Sequence, residues 1–587
     1  MCGALLWIYR LPLLSSLVLG LLERRGLGPA HLVLDRIDGQ RLNAHDVDLY
    51  RGALRAGELS LSFTPGQVLA GHLSELTVTG LRILLSGEEP TLGGAPLRAS
   101  PSATGSAPLG GLRIDAVRID DARIAWDRPG GRLEVTFSTR LVLAGAELRA
   151  AALAVDASVP VAGGRRALRL VVPELALSLP EPGGLRLEFA GAEIAPEALP
   201  WTASGLGGEL VWRAGVATAK LSVDRLIQLG QPALVVPLRL AGEVAMAGSA
   251  LDFALHAQAE AAGARGRLEL DVVGSHDLAS GSGQATLAAP PVVFAPQGLQ
   301  PAQLFPRLAG RLPDLAGAVA VSGALRWQGL ALSPDLVVRL GELAFDSPGA
   351  RFRRIRGDVR LDGLGPLRTP PGQSLAAVVE AGGLPPSDVT LGFQLLPKPV
   401  LRVESLRARF AGGRISASRF DLDPAAPRLD TVLKVEQVDL AEILTLVGID
   451  GLSGTGRLDG QLPLRSVGGR LRIEGGALAA SGPGILHFRR EPLARELAGA
   501  GEDVNVALEA LRDFHYETLS LAIDESAAGQ GTVRLTLQGN NPAYLEGRRF
   551  HFNIALESNF DRLRELALQG MTAAQMLLRR SAGGLRP

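Results

Sequence analysis

The side chains that could carry out chemistry are few and widely spaced in this 587-residue chain. No two of its eight histidines lie four residues apart, the spacing that places two ligands on one helix face, so no zinc site is predicted. The segment GTGRLDG (Gly454 to Gly460) misses the dinucleotide-binding fingerprint by one residue and has no strand–helix–strand context. We interpret its glycines as strand corners. The sequence therefore predicts no enzyme, no metal and no cofactor.

Composition narrows the functional classes further. Cys2 is the only cysteine, which excludes a disulfide or a thiolate metal site within the chain. The net charge is zero and aromatic residues make up 4%, which argues against a nucleic-acid partner. A hydrophobic content of 47% predicts extensive burial.

Apolar and polar residues alternate regularly in the segment TVRLTLQGNNPAYLEGRRFHFNIALESNF (Thr532 to Phe560). Successive strand residues point to opposite faces, so Arg534 and His551 are predicted to face water. The predicted apolar face, which we interpret as the lining of a lipid groove, contains Val533, Leu535, Leu537, Phe550, Phe552, Ile554 and Leu556. Such a face sequesters hydrocarbon, and it must be covered by protein or by lipid.

Similar strand patterns fill most of the chain. The fold class predicted is mainly β: a long, curved antiparallel sheet forming an open hydrophobic groove, with an N-terminal membrane helix and a few short helices. The predicted divisions are a membrane anchor and amphipathic helix (1–25), an N-terminal β segment (26–87), a Pro/Gly/Ser-rich linker (88–111), a first groove half (112–296), a helical seam (297–317), a second groove half (318–437) and a C-terminal segment with a terminal helix (438–587).

One stretch, LRIDAVRIDDARIAW (Leu112 to Trp126), has apolar residues at a period of five. Three units are too few for a pentapeptide solenoid. We therefore predict strand structure interrupted by a turn or bulge at Asp120 and Asp121.

The N-terminal segment CGALLWIYRLPLLSSLVLGLL (Cys2 to Leu22) is apolar except for Arg10. It has about the length of a membrane span, although a central arginine is costly in a bilayer. Two interpretations remain open: residues 1–9 are the tail of a longer anchor followed by an amphipathic helix from Pro12 to about Arg25, or the segment is an intact, imperfect span. Both predict a protein held at a membrane.

The C-terminal third resembles a known family. VDLAEILTLVGIDGLSGTGRLDGQLPLRSVGGRLRIEGGALAASGPGILHF (Val438 to Phe488) resembles the terminal segment of AsmA-like proteins, with the run Gly454, Gly456, Leu458, Asp459, Gly460, Pro463 and Leu464. NVALEALRDFHYETLSLAID, LQGNNPAYLEGRRFHFNIALESNF, YRLPLLSSLVLGLLERRGLGP and LQPAQLFPRLAG resemble the YdbH branch of that superfamily.

The resemblance implies an inner-membrane-anchored, periplasm-spanning conduit for phospholipids in a Gram-negative bacterium, related in architecture to TamB and YhdP. It also implies a small outer-membrane lipoprotein of the YnbE type, which would extend the sheet by strand addition at the C-terminal end. Some 550 residues at about 12 per strand and turn would give roughly 45 strands, a sheet on the order of 200 Å long. Two alternatives remain open: a TamB-like factor for outer-membrane protein assembly or secretion, and a passive β-sandwich scaffold.

Overall fold

A computed structural model describes residues 15–16, 19–20 and 30–558, with gaps at 71, 88–90, 94, 97–112, 129–130, 145–146, 162–163, 179–183, 197–199, 214, 231, 262–265, 311, 330, 348–349, 382–386, 398–399, 424–428, 448–450, 468–469, 489–501 and 526–530. The described chain is mainly β, as predicted. It divides into two units: unit 1 comprises Met1–Glu260, Arg267–Thr286 and Arg326–Ala331, and unit 2 comprises Ala261–Gly266, Leu287–Leu325 and Leu332–Pro587.

Unit 1 is built from strands whose apolar and polar residues alternate. Its strands are β1 (Ala30–Ile37), β2 (Arg41–Leu49), β3 (Leu54–Ser62), β4 (His72–Thr79), β5 (Arg82–Ser86), β6 (Thr91–Leu92), β7 (Ala95–Pro96), β8 (Arg113–Arg128), β9 (Gly131–Ala144), β10 (Glu147–Val161), β11 (Gly164–Ser178), β12 (Gly184–Pro196), β13 (Trp201–Arg213), β14 (Val216–Gln228), β15 (Leu238–Ala247), β16 (Ala250–Glu260) and β17 (Arg267–Asp277). Helix α1 (Pro65–Leu69) begins at a capping box formed by Thr64 and Gln67.

The pairing in unit 1 is mixed, whereas the sequence predicts an antiparallel sheet. Strands β1 to β4 pair antiparallel in chain order. Both β4 and β5 then pair with β8 in parallel. From β8 to β17 each strand pairs antiparallel with the next. Strands β4, β5 and β8 therefore run in the same direction, and a parallel pair of this kind needs a crossover connection instead of a tight hairpin.

Strand β8 runs through the segment with the five-residue period. Its register with β9 shifts between Ile119 and Ala122, and Asp121 has a positive φ of 53°. The predicted bulge at Asp120 and Asp121 is therefore confirmed, within one continuous strand.

Three strands contribute residues to both units: β18 (Ser282–Phe294), β19 (Ala316–Gln328) and β20 (Ala331–Ser347). Unit 2 contains β21 (Ala350–Leu361), β22 (Gly363–Leu364), β23 (Leu367–Arg368), β24 (Gln373–Ala381), β25 (Ser387–Leu395), β26 (Leu401–Phe410), β27 (Gly413–Ala417), β28 (Phe420–Leu422), β29 (Asp430–Asp439), β30 (Leu452–Gly454), β31 (Arg457–Val467), β32 (Arg470–Ile473), β33 (Gly476–Ala480), β34 (Gly484–Phe488), β35 (Phe514–Glu525), β36 (Gly531–Asn540) and β37 (Arg549–Ser558). Its helices are α2 (Pro301–Leu304), α3 (Leu440–Val447) and α4 (Glu502–Leu511).

Unit 2 has an antiparallel ladder in the order β20, β21, β24, β25, β26, β27, β29, β31, β33, β35, β36, β37. Helix α3 follows β29 directly. It starts where the Asp439 side chain accepts a hydrogen bond from the Ala441 amide, at 2.8 Å. The helix packs Leu440 and Leu444 into the largest described core cluster.

Several predicted segments lie outside the described residues: nearly all of the anchor (1–25), most of the linker (88–111) and the terminal helix at 559–580. Of the anchor, Leu19 is helical and packs on a core cluster of Leu32, Leu34 and Ala44 in unit 1. Within the described residues, the helices are all too short or too polar to cross a bilayer. The open groove and the membrane helix stay predictions.

Glycines in mid-strand allow close strand approach in unit 1. A Cβ on Gly242 would lie 2.2 Å from the Ala254 carbonyl oxygen of the neighbouring strand. We expect Gly242→Ala to lower the free energy of unfolding by about 1–3 kcal/mol through overpacking. Urea denaturation measures the change. Gly39→Ala is the matched control because nothing lies within 4 Å of its Cβ position; equal destabilisation by both variants would contradict the prediction.

Candidate functional site

Cross-strand register places apolar residues side by side along unit 1. One row, here called the N-terminal apolar row, takes one residue from each of β1–β4 and β8–β17, and each member is the direct register partner of the next. Its members are Ile37, Leu42, Leu61, Leu76, Val117, Leu141, Ala150, Leu175, Phe189, Gly208, Leu221, Gly242, Leu255 and Val272. No charged or polar side chain interrupts this row across its fourteen strands.

The same face is widest over β12–β17, where three further rows flank the first. We call the 24 residues of these strands the four-row face. Its rows, each in strand order, are Phe189, Gly208, Leu221, Gly242, Leu255, Val272; Leu187, Leu210, Ala219, Val244, Phe253, Gly274; Leu185, Trp212, Ala217, Met246, Leu251, His276; and Ala192, Leu206, Val223, Leu240, Ala257, Leu270. Rows two residues apart along a strand are separated by about 6.6 Å, so the face is roughly 20 Å wide.

The opposite face of these strands is charged. Arg186 contacts Glu209 at 3.0 Å, Lys220 contacts Glu243 at 3.5 Å and Arg239 contacts Glu260 at 3.4 Å. Each pair joins two neighbouring strands. Exposed ion pairs of this kind contribute about 1 kcal/mol at most, so their main effect is to favour one register over another.

The large side chains of the four-row face are half-buried, including Phe189, Leu221 and Leu255. Trp212 and Met246 at its edge are 38% and 37% exposed. A second protein layer packed at normal density would exclude water from such residues. The face is therefore only partly covered by protein.

Unit 2 contains a comparable row over nine strands from β25 to β37, here called the C-terminal apolar row. Its members are Val389, Ala408, Ile415, Val435, Gly460, Leu478, Leu521, Leu535 and Ile554. The row ends in two of the residues that the sequence predicts as groove lining.

The structure places the predicted lining residues together on one face. Val533, Leu535 and Leu537 are 5%, 4% and 0% exposed, within one core cluster. Phe550, Phe552 and Ile554 pack against the same cluster. The Phe552 ring lies 5.3 Å from that of Phe514 in an edge-to-face arrangement. The Leu556 side chain lies outside the described part of the chain.

Arg534 and His551 are exposed on the other side, so the predicted facing of both strands is confirmed. The predicted contact with lipid stays a prediction. Protein already covers the C-terminal row, because Leu440 and Leu444 of α3 and Tyr516 of β35 lie in its cluster.

Tyr516 packs against the GTGRLDG segment and explains why a glycine occupies position 456. Its hydroxyl donates a hydrogen bond to the Thr455 carbonyl at 2.7 Å, while its ring is 1% exposed. Burial raises the pKa of this hydroxyl. A Cβ on Gly456 would lie 2.0 Å from the Tyr516 oxygen, so the glycine makes room for the ring.

Asp459 of β31 links β29 to Ser481, the residue that follows β33. It accepts hydrogen bonds from the Gln437 amide at 2.7 Å and from the Ser481 hydroxyl, and the Ser481 bond is the main cause of its lowered pKa. The motif residues therefore act as packing and register elements. Within the described residues, no three His, Cys, Asp or Glu side chains are arranged to hold a metal ion.

Sequence reasoning located the C-terminal face but missed the four-row face. Its signal was present, as alternation in segments such as GRLEL and LDFALHA, but alternation alone does not say which residue pairs with which. The N-terminal row becomes visible only when the register of each strand pair is known.

A family model described as YdbH-like, intermembrane phospholipid transport protein YdbH, matches residues 236–565, which is more than half of the chain. The matched range includes β15–β17 of the four-row face and the whole C-terminal row. No curated protein matches the chain.

The two rows are expected to respond differently to charge. Leu535→Arg places a charge in a closed core, and we expect it to destabilise unit 2 by on the order of 4 kcal/mol. Leu221→Arg lies on a half-buried face from which the side chain can reach water, and we expect a cost of about 1 kcal/mol. Urea denaturation of both variants measures the difference. Equal destabilisation would mean that the four-row face is as fully covered as the C-terminal cluster.

Proposed function

This chain belongs to the YdbH-like family, and on that premise we propose that it carries phospholipids between the inner and outer membranes of a Gram-negative bacterium along the apolar face of its sheet. The family points to intermembrane phospholipid transport. The observation that carries the route is the N-terminal apolar row, which continues through fourteen strands without a charged residue.

The energetic requirement is a continuous apolar surface. A phospholipid with about 30 methylenes would cost on the order of 25 kcal/mol to expose fully to water, at about 0.8 kcal/mol for each methylene. The width of the four-row face, about 20 Å, exceeds the roughly 15 Å that one acyl chain occupies in half of a bilayer's hydrocarbon core. A tail lying across the rows would therefore meet apolar side chains along its whole length.

Glycines in the central row support such a contact. Gly208 and Gly242 alternate with Leu221 and Leu255 across β13–β16, and the Cδ2 atoms of Leu221 and Leu255 lie 3.1 Å and 2.9 Å from the positions that a Cβ would take on Gly208 and Gly242. The leucine side chains therefore lean over the glycines, and the row presents aliphatic surface with which hydrocarbon can make dispersion contacts. In the proposed mechanism no bond is made or broken, so the chain is not an enzyme, and lipid moves along a concentration gradient or through work done by a partner.

The proposal places the protein in the periplasm, held at the inner membrane by residues 1–25. The apolar composition of Cys2 to Leu22 supports this assignment. The charged face of β12–β17, with pairs such as Arg186 and Glu209, suits contact with an aqueous compartment.

A partner chain is proposed at the C-terminal end of the ladder. Strand β37 pairs with β36, and no described strand of unit 2 pairs with its other edge. An open edge presents unpaired backbone groups that a further strand can satisfy. A small outer-membrane lipoprotein of the YnbE type is the partner we propose, adding a strand beside β37.

Photocrosslinking in cells tests the lipid route. A photoreactive residue at Leu221 or Leu255 is expected to form phospholipid adducts, because both positions lie in the N-terminal apolar row. The neighbouring positions Lys220 and Ala254 point to the opposite face and are the matched controls. Mass spectrometry of the purified chain identifies the adducts. Protein adducts at the inward positions would instead favour a scaffold or an outer-membrane protein assembly role.

The strand-addition partner has its own test. A photoreactive residue at His551 on β37 is expected to crosslink to a small lipoprotein through the open edge. The control is Arg534 on β36, which is also exposed but lies between β35 and β37. Equal crosslinking from both positions would show contact with the sheet's surface and would contradict pairing at the edge.

A further inference from the structure

The two margins of the four-row face differ in chemistry. One margin, here called the histidine margin, is the row Leu185, Trp212, Ala217, Met246, Leu251, His276, and the other, here called the aliphatic margin, is the row Ala192, Leu206, Val223, Leu240, Ala257, Leu270. The only two nitrogen-bearing side chains of the face, Trp212 and His276, both lie on the histidine margin. The aliphatic margin contains alanine, leucine and valine alone. An amphipathic ligand on this face therefore meets side-chain hydrogen-bond donors at one margin only.

The histidine margin coincides with the ends of the strands. Strands β13, β15 and β17 each end one residue after their member of this row, and β12, β14 and β16 each begin one residue before theirs. Trp212 and Met246 are exposed there. A polar group placed at this margin keeps contact with water, while hydrocarbon attached to it can lie on the face.

The apolar surface continues past the aliphatic margin. The next row along β12–β15 is Ile194, Ala203, Leu226 and Leu238. On β17 the same side of the strand runs from His276 through Val272 to Leu268, which is eight residues or about 26 Å. One acyl chain occupies roughly 15 Å in half of a bilayer's hydrocarbon core. A chain that starts at His276 therefore stays on apolar side chains along its whole length.

The orientation and tautomer of His276 are set by Trp327. The indole N–H donates to His276 Nδ1 at 3.1 Å, and the two rings stack with centroids 6.0 Å apart. Because the indole is only a donor, Nδ1 must accept, and Nε2 of the neutral imidazole carries the hydrogen. Within the described residues this Nε2–H has no hydrogen-bond partner. A Cβ on Gly283 would lie 2.4 Å from the Trp327 ring, so the indole lies over this glycine to reach the imidazole.

The residues on either side of His276 point away from the apolar face. Ser275 and Asp277 alternate with it along β17, so their side chains lie on the opposite side of the sheet. There the Asp277 carboxylate accepts a hydrogen bond from the Ser249 hydroxyl at 2.7 Å. A ligand on the apolar face therefore meets the imidazole donor of His276 without a carboxylate of this strand beside it.

We propose that the Nε2–H of His276 binds the phosphate of a phospholipid at the histidine margin, so that the acyl chains lie across the four-row face toward the aliphatic margin. This inference rests on the proposed lipid transport and assigns one orientation to the lipid on the route. His276 is the residue that contacts the lipid. Trp327 is a positioning residue, because it fixes which imidazole nitrogen carries the hydrogen.

The reverse orientation is unfavourable at both ends of the lipid. A phosphate at the aliphatic margin would lose part of its hydration and would find no donor on the side chains of Leu206, Leu240 and Leu270. The acyl chains would then run toward the margin where the strands end, and their ends would reach water. The two margins together therefore favour one direction.

Two phospholipid probes test the orientation. Each is a phosphatidylethanolamine with one diazirine, placed on the head group in the first probe and at the end of an acyl chain in the second. The purified full-length protein is incubated with phosphatidylglycerol vesicles that contain one probe, re-isolated and illuminated, and tandem mass spectrometry locates the adducts. Head-group adducts are expected at the histidine margin, as at Trp212 and Met246. Acyl-end adducts are expected at the aliphatic margin, as at Leu206 and Leu240.

A histidine variant tests the phosphate contact. His276→Phe removes both ring nitrogens and keeps an aromatic side chain beside Trp327. It is expected to lower the amount of retained lipid about threefold to fivefold, the loss of one partly exposed hydrogen bond, and to spread head-group adducts over both margins. His256→Phe is the matched control, because His256 lies on the neighbouring strand β16 and points to the opposite face. It is expected to change neither quantity, and circular dichroism verifies the folding of both variants.

The positioning role of Trp327 has a spectroscopic test. Trp327→Phe keeps an aromatic ring over Gly283 but removes the indole N–H. Nitrogen-15 NMR of histidine-labelled protein is expected to show the Nε2–H tautomer for the resonances that His276→Phe removes, and a mixture of both tautomers in Trp327→Phe. Lipid retention is expected to fall about twofold, because only part of the imidazole population then presents Nε2–H. An unchanged tautomer would contradict the positioning role.

The outcomes separate the two proposals. If the head-group probe marks both margins of the wild type equally, or if His276→Phe and His256→Phe lower retention equally, the assignment of His276 is wrong and lipid transport still stands. If neither probe marks the four-row face of the wild type, the assignment and the proposed lipid route are both wrong. The wild-type probe experiment decides the orientation even where a variant fails to fold.

Discussion

Strand register is the constraint on which the rest of this structure depends. Side chains alternate with a period of two, so a slip of one residue in any strand turns its apolar set to the opposite face. In the N-terminal apolar row such a slip at β14 would replace Leu221 by Lys220 or Ser222. The row therefore exists only because every strand pair that contributes to it is in the register that turns the apolar residues to the same face. Ion pairs on the opposite face, such as Arg186 with Glu209, add a second penalty to a slipped register because they join defined partners.

Bulges keep the apolar side chains on the same face where the spacing of apolar residues along a strand departs from two. In β8 the apolar residues Val117 and Ile119 are followed after an odd interval by Ala122 and Ile124, and the extra residue at Asp121 returns them to one side. The register of β20 shifts in the same way between Leu340 and Leu343, at Glu342 with φ 53°, and that of β29 shifts between Val435 and Val438, at Gln437 with φ 53°. A left-handed conformation is unfavourable for Glu and Gln, so the surrounding pairing must stabilise it.

These bulges show how far the sequence could predict the fold. The pair Asp120 and Asp121 indicated a bulge because aspartate favours turn conformations. Glu342 and Gln437 are not turn residues, and nothing local marks them. In the same way, the alternation of Val533, Leu535 and Leu537 predicted the facing of β36, since facing is a local property. Their cover by α3 and Tyr516 could not be predicted, because it depends on residues roughly 20 to 100 positions earlier in the chain. The parallel pairing of β4 and β5 with β8 was missed for the same reason.

The difference between the two apolar rows determines what each can do. In the C-terminal row Leu535 and Leu478 are each 4% exposed, so a lipid could enter only if packed side chains separated, with loss of their contacts. Over β12–β17 the side chains of Leu221 and Leu255 are only half-buried. An acyl chain placed on them would bury more of their surface without displacing any packed side chain. Six strands at about 4.8 Å, by roughly 20 Å of width, give on the order of 500 Å² of apolar surface, near the upper limit for the largest patch of a soluble monomer, where patches are often functional. The same alternation thus produces a closed core where helix and aromatic side chains cover it and a partly exposed apolar surface where they do not.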